Sequence, residues 1–242
     1  MSKNPDWLIY ADDDIIIVNK PYDLLSIPDR HDTTKMSMQG QLKKRYDEVF
    51  TVHRLDRETS GIMVFARNAE AHRNLSMQFE ARTSQKIYHA ILDGTPAEHE
   101  GIINRSIGPH PTIAGKMMAT TRGKASETHY RVLQQFRHFS LVEADIKTGR
   151  THQIRVHFQS IGHPLAVDAL YSPREALMLS EFKKKKFSLG KYVEEQPIMS
   201  RTTLHAARLT FEHPSTLERV HFEVAAPKDF LATLTQLGKW DV

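Results

Sequence analysis

Seven of eight consecutive residues in one short stretch of this chain could take part in chemistry. Within Val52–Arg67, VHRLDRETSGIMVFAR, residues His53, Arg54, Asp56, Arg57, Glu58, Thr59 and Ser60 are interrupted only by Leu55. Asp56 is the carboxylate flanked by two arginines, Arg54 and Arg57. Neighbouring cations favour the ionised form of a carboxylate, and a fixed anion is what a nucleophile or a general base must be. A surface turn with solvated ion pairs would hold the same residues at little energetic consequence, and the loop alone leaves both readings open. A Ser-His-Asp hydrolase built from His53, Asp56 and Ser60 is disfavoured, because triad members normally come from separate elements and the chain has no Gly-x-Ser-x-Gly elbow.

The elements that must position this loop follow from the flanking pattern. Gly61 to Ala66 form an apolar run with β-branched members, which predicts a buried strand with the charged loop at its N-terminal end. Charge on a loop braced by a strand is a common setting for function. Ahead of it, Trp7–Tyr10 and Asp14–Asn19 predict two short strands, followed by a Pro-punctuated loop, Asn19–Pro28, and a short helix within Thr33–Arg45. Behind it, Asn68 can cap a helix over Ala69–Arg82, with His72, Leu75 and Phe79 on one core-facing side. In Lys86–Leu92 the period of two puts Lys86 and Tyr88 on the same side of a strand.

Strands over Ile102–Ile107, Ser126–Phe136 and Phe139–Ile146 come next, with a Pro, Gly and Thr-rich loop at Gly108–Gly123 that carries Lys116 and Arg122. In Thr148–His157, TGRTHQIRVH, Thr151 is the expected N-cap of a helix whose stripe is Ile154, Phe158 and Ile161, with Arg155 off the stripe. Residues 172–200 read as an inserted loop containing Lys183–Lys186, a run that either faces solvent or grips phosphate. Val220–Val224 predicts a last strand and Pro227–Leu237 a last helix. Strand follows strand with few helices and no regular βαβ alternation, so the fold class is α+β with a mixed, largely antiparallel sheet flanked by helices.

Composition bounds the function. The chain has 242 residues, 40% of them hydrophobic, enough to bury a sizeable core. Thirty-three Lys and Arg against 29 Asp and Glu give a formal charge of +4, which favours a polyanionic partner without requiring one. Cysteine is absent, excluding disulfides, Cys-ligated zinc and a thiol nucleophile. Clustered carboxylates are scarce, so neither a metal nor a cofactor is expected. The opening MSKNPDW lacks a signal-peptide core, and no run approaches the roughly 18 apolar residues of a membrane helix, so a cytoplasmic location is expected.

His53-Arg54-Leu55-Asp56, two residues, then Thr59-Ser60-Gly61 and an apolar run closely resembles the catalytic-aspartate signature of the RluA-type pseudouridine synthases. Further blocks resemble the same family in order. These are Asn19–Pro28, with Asp23 where a glycine usually stands; Lys86-x-Tyr88; the His152-Gln153-Ile154-Arg155 motif; Asp168 with Tyr171, preceded by Val167 in place of the usual glycine; and Arg201-x-x-Leu204-His205-Ala206 through His213-Pro214.

The resemblance spans nearly the whole chain. It implies a single pseudouridine synthase catalytic domain over residues 1–242 with a central RNA-binding cleft, no N-terminal S4-type RNA-binding domain, and a monomer. It also implies isomerisation of uridine to pseudouridine in structured rRNA or tRNA. It assigns catalysis to Asp56, Tyr88 and Arg155, with Arg155 pairing the aspartate and Tyr88 against the base. Arg54 is the group that fills the gap left by a flipped nucleotide, and the substrate contacts are His53, Lys86, Arg150, His152, Gln153 and Leu204. A non-catalytic RNA-binding module of the same fold is the alternative.

Overall fold

Apolar runs and local caps set the elements. The computed structural model describes residues 5–32, 34–183 and 194–242. In chain order the elements are β1 (Leu8–Ala11), β2 (Ile15–Lys20), α1 (Met38–Leu42), β3 (Phe50–Thr51), β4 (Ser60–Ala66), α2 (Ala69–Ala81), β5 (Gln85–Asp93), β6 (Glu100–Asn104), β7 (Ile107–Pro109), β8 (Met117–Ala119), β9 (Glu127–Gln135), β10 (Phe139–Ile146), α3 (Gln153–Ser160), β11 (Leu204–Glu212), β12 (Arg219–Glu223) and α4 (Lys228–Trp240). They fall into two compact units, Met1–Ile87 with His205–Ala225, and Tyr88–Leu204 with Ala226–Val242. The chain passes from one unit to the other within β5, within β11 and again after Ala225, ahead of α4.

The first unit is a sheet in the order β1-β2-β4-β11, with β12 on β11 and β3 on β4. Ile15, Ile16, Ile17 and Val18 are wholly buried in β2, and every residue of β4 is buried, as continuous apolar runs require. β2 and β4 pair antiparallel from Ile15↔Ala66 to Lys20↔Gly61, whereas β11 runs parallel to β4. The Asn68 carboxamide oxygen caps α2 by accepting the Ala71 N–H at 2.8 Å.

The expected helix in Thr33–Arg45 shortens to five residues, Met38–Leu42, capped by Ser37. The Asp29 and Asp32 carboxylates accept the backbone N–H groups of His31 and Thr34, and such local bonds compete with helix ahead of the cap.

The second unit is a sheet in the order β5-β10-β9-β6, together with the β7-β8 hairpin. The core includes Ile91, Phe136, Phe139, Val167, Phe230 and Leu237, so α4 covers the β5-β10 side. Of the segment expected as a loop insert, residues 172–183 and 194–200 are described. Leu177 and Met199 are buried and bridged antiparallel, and a 3-10 turn lies at Leu179–Glu181. Lys183 stands over the Trp240 ring at 4.9 Å, and Lys184–Lys186 lie outside the described residues. The described pairings are antiparallel apart from β4 with β11, which makes the sheet mixed and the class α+β.

Candidate active site

The Asp56 loop is held from three sides within the first unit. Lys20, with no exposed surface, donates its ammonium to the carbonyls of Pro21 (2.9 Å), Leu24 (2.7 Å) and Arg57 (3.2 Å), joining the Asn19–Pro28 loop to the signature loop. Charge-assisted bonds to carbonyls offset part of the cost of burying the ammonium. Ser26 grips the residue before Asp56, donating to the Leu55 carbonyl at 2.7 Å and accepting the Leu55 N–H at 3.0 Å. Asp56 itself accepts the Thr59 N–H on its backbone carbonyl at 3.1 Å, closing the turn, and its side chain is half-buried.

Asp23, standing where the resembled motif has glycine, does adopt a left-handed backbone, with φ 60°. Asp is among the side chains that tolerate that region, and its carboxylate accepts Arg57 Nε at 2.7 Å. The second arginine of the signature therefore secures the neighbouring loop. Arg54 is exposed.

His53 anchors the loop to β4. Its Nε2 accepts the Val64 N–H at 3.2 Å, and its ring stacks on Phe79 with centroids 4.8 Å apart. Burial, reinforced by the Lys86 ammonium, pushes the His53 imidazole down to about 3, which keeps Nε2 an acceptor. His53 is thus a positioning residue in this geometry. Phe79, expected as ordinary core, braces the site instead: its ring also lies 5.2 Å from Lys86 Nζ. The sequence signal was available, since Phe79 shares its helix face with His72, but the pattern does not say which element the face meets.

At the end of the loop, Ser60 and His205 Nδ1 lie 3.0 Å apart and His205 Nε2 meets the Val224 carbonyl at 3.2 Å. A carbonyl only accepts, so Nε2 carries the proton and Nδ1 accepts from the Ser60 hydroxyl. Gly61, at φ +123°, lies so close to β11 that a Cβ there would be 2.2 Å from the Ala206 carbonyl oxygen.

The second unit holds the arginine motif. The helix begins one residue later than expected: His152, not the exposed Thr151, occupies the N-cap position, in a left-handed conformation, φ 55°, and with no side-chain cap bond. The Gln153 side chain ties the start of α3 to the preceding loop and to β9. Its Oε1 accepts the Thr148 hydroxyl (2.6 Å) and the Arg150 N–H (3.1 Å), and its Nε2 donates to the Glu127 carbonyl (2.9 Å) and the Thr128 hydroxyl (3.0 Å). A carboxamide engaged at all four positions acts as an internal strut. The expected amphipathic stripe also gives way, because Gln153 through Phe158 are all buried.

Arg155, 2% exposed, is gripped on one edge by Asp168, Nε to Oδ2 at 2.7 Å and Nη2 to Oδ1 at 2.8 Å. Such bidentate pairing fixes the plane of the guanidinium. Asp168 Oδ1 in turn accepts the N–H groups of Leu170 (2.9 Å) and Tyr171 (3.2 Å), and Tyr171 presents its ring 5.0 Å from the guanidinium carbon. Asp168 and Tyr171 therefore cradle the arginine, and Val167 before them packs into the core.

Among the remaining expected residues, Arg150 Nε reaches the Ala125 carbonyl at 3.2 Å and His152 Nδ1 meets the Tyr171 hydroxyl at 2.7 Å. Lys86 and Tyr88 are buried on β5, at 8% and 7% exposure. Leu204 is also buried and starts β11.

Asp12, Asp14 and His213 bring ligand-type atoms within 4.8 Å of one another, the one such group among the described residues. Hydrogen bonds already account for those oxygens. Asp12 takes the Asp14 and Ile15 amides, the Tyr10 hydroxyl and His213, and Asp14 takes Asn68 and Ser215.

This architecture is that of pseudouridylate synthase domains. Human RNA pseudouridylate synthase domain containing 4 superposes with a TM-score of 0.73 at 25% identity, covering 96% of this chain and 92% of that one. Human RNA pseudouridylate synthase domain containing 1 gives 0.68 at 30% identity, covering 97% and 89%.

The RNA pseudouridylate synthase family matches over residues 14–160. Ribosomal large subunit pseudouridine synthase D of Neisseria meningitidis serogroup B is 36% identical over 236 residues, 95% of this chain. The chain spans only 60% of that protein's length. Dual-specificity RNA pseudouridine synthase RluA of Vibrio vulnificus is 36% identical over 215 residues, covering 86% of this chain and 78% of that protein. The chain belongs to the RNA pseudouridylate synthase family. No helix among the described residues is long and apolar enough to cross a membrane.

Proposed function

We propose that this protein isomerises uridine to pseudouridine within structured ribosomal or transfer RNA, working as a monomer in the cytoplasm with no metal or cofactor. The N1–C1′ glycosidic bond breaks, the uracil turns, C5 bonds to C1′, and the C5 proton leaves to solvent while N1 gains one. An anion beside the sugar serves both available routes, attack at C1′ or removal of a sugar proton, as carboxylates do at the anomeric carbon in glycoside cleavage. Asp56 is that anion, and the observation that carries the reading is the effort spent on holding it. Lys20 and Ser26, both buried, and the partly buried His53 all fix the loop on which it stands.

Arg155, held along its Nε/Nη2 edge by Asp168, is the counter-cation that the family motif assigns to the aspartate. Tyr88 supplies a ring for the flipped base, Arg54 fills the stack the base has left, and Lys86, Arg150 and His152 contribute the polar contacts of the substrate site.

The test is Asp56→Asn, nearly isosteric and uncharged. Tritium release from 5-tritiated uridine RNA should fall below detection while RNA affinity stays within a few-fold of wild type. Turnover within tenfold of wild type would remove Asp56 from the mechanism. A wild-type protein that binds RNA and never releases tritium would be a non-catalytic RNA-binding module.

A further inference from the structure

Tyr171 makes more connections than a core tyrosine needs. It is 4% exposed and shares a small apolar cluster with Val156 of α3 and Ile107 of β7, against which Met117 and Ala119 of β8 also pack. Its hydroxyl accepts the Met117 N–H at 2.8 Å and lies 2.7 Å from His152 Nδ1. With a backbone N–H donated into it, the phenol keeps its own proton as a donor for the contact with His152 Nδ1. That bond holds His152 in the left-handed conformation from which α3 starts, and Arg155 follows within the first turn. The ring, meanwhile, has two cations within cation–π range, Arg155 at 5.0 Å and Lys116 at 5.4 Å. Lys116 lies at the foot of β8, in the basic Gly108–Gly123 segment.

We propose that Tyr171 is a positioning residue that couples the β7-β8 hairpin to Arg155: its hydroxyl sets the hairpin and the start of α3, and its ring sets the guanidinium. The occupant of the hairpin would be an RNA phosphate. An anion neutralising Lys116 relieves its repulsion of Arg155 across the shared ring, so that RNA binding at the hairpin favours the working position of the arginine. The idea rests on the isomerase reading for its kinetic consequence and on geometry alone for its structural one.

The two parts of the side chain can be separated. Tyr171→Phe keeps the ring and loses both hydroxyl bonds. Amide exchange at Met117 should then accelerate by at least about tenfold relative to amides of β9 and β10, KM for RNA should rise roughly tenfold, and kcat should stay within about threefold. Tyr171→Leu removes the ring as well, and kcat should fall by about tenfold more. Unchanged protection of Met117 in Tyr171→Phe, or equal losses of kcat in both variants without a change in KM, would overturn the proposal. Should Tyr171→Leu not fold, the Tyr171→Phe exchange and KM results decide alone. The exchange measurement needs no turnover, so a failure of the isomerase reading leaves it intact.

Discussion

A charged side chain works inside a protein only when something fixes it, and the residues flanking the signature differ in how they are fixed. Arg155 is held in plane by Asp168 and on its face by Tyr171, so its direction is set before any substrate arrives. His53 is held as a neutral acceptor. Its folded value, about 3, lies below the roughly 6.5 of an unfolded histidine. Between those values the unfolded chain binds a proton that the folded one refuses, so the contribution of His53 to stability is complete above the unfolded value and drains away as pH falls toward the folded one. In His53→Gln, which can still accept the Val64 N–H, the acid-side loss of stability should be shallower by up to one proton, about 1.4 kcal/mol per pH unit. Urea midpoints at pH 7.5 and pH 5 measure this. His157, also lowered chiefly by burial, adds its own slope to both proteins and cancels in the comparison. A slope identical in the two proteins would mean that His53 titrates normally.

Elements were legible in the sequence where burial is two-sided and continuous, and illegible where partners are remote. β2, β4 and β10 announce themselves as apolar or alternating runs, and β10 falls on Phe139–Ile146 as expected. β11 does not, because its residues Leu204–Glu212 interleave buried His205 with apolar neighbours, and its pairings with β4 and β12 explain them. The buried α3 defeats an amphipathic reading for the same reason: its polar residues find partners on β9 and in the Asp168–Tyr171 turn. Gly61, at the β4-β11 contact, shows how much the signature owes to that pairing. Gly61→Ala must place a Cβ against the Ala206 backbone at a φ of +123° and should cost at least about 3 kcal/mol, lowering the thermal midpoint and loosening the Asp56 loop together. Gly149→Ala, where a Cβ meets nothing within 4 Å, is the matched control and should be close to neutral. Equal midpoints for the two variants would show that β4 and β11 have room to part.

At the scale of the whole molecule the charge is modest, +4 over 242 residues, so affinity for RNA has to come from where cations stand rather than from how many there are. Lys20, Arg155 and Arg201 are buried and committed to protein partners, whereas Arg54 is exposed beside the catalytic candidate. The two arginines assigned to the proposed chemistry should therefore fail differently. Arg155 is proposed to serve the anion and does hold its own buried pair, so its loss should depress turnover on every RNA. Arg54 serves the stack, a task that exists only when a nucleotide has been drawn out of one, at a cost of a few kcal/mol. Arg54→Ala should thus lower kcat/KM much more on a hairpin than on a linear strand of the same sequence, by about tenfold or more in the ratio of ratios if the side chain recovers even half of a ~3 kcal/mol unstacking cost. Both substrates are needed with both proteins, and the readout is tritium release. Equal mutant-to-wild-type ratios on hairpin and strand would remove the flipping role and leave Arg54 as a second counter-ion to Asp56.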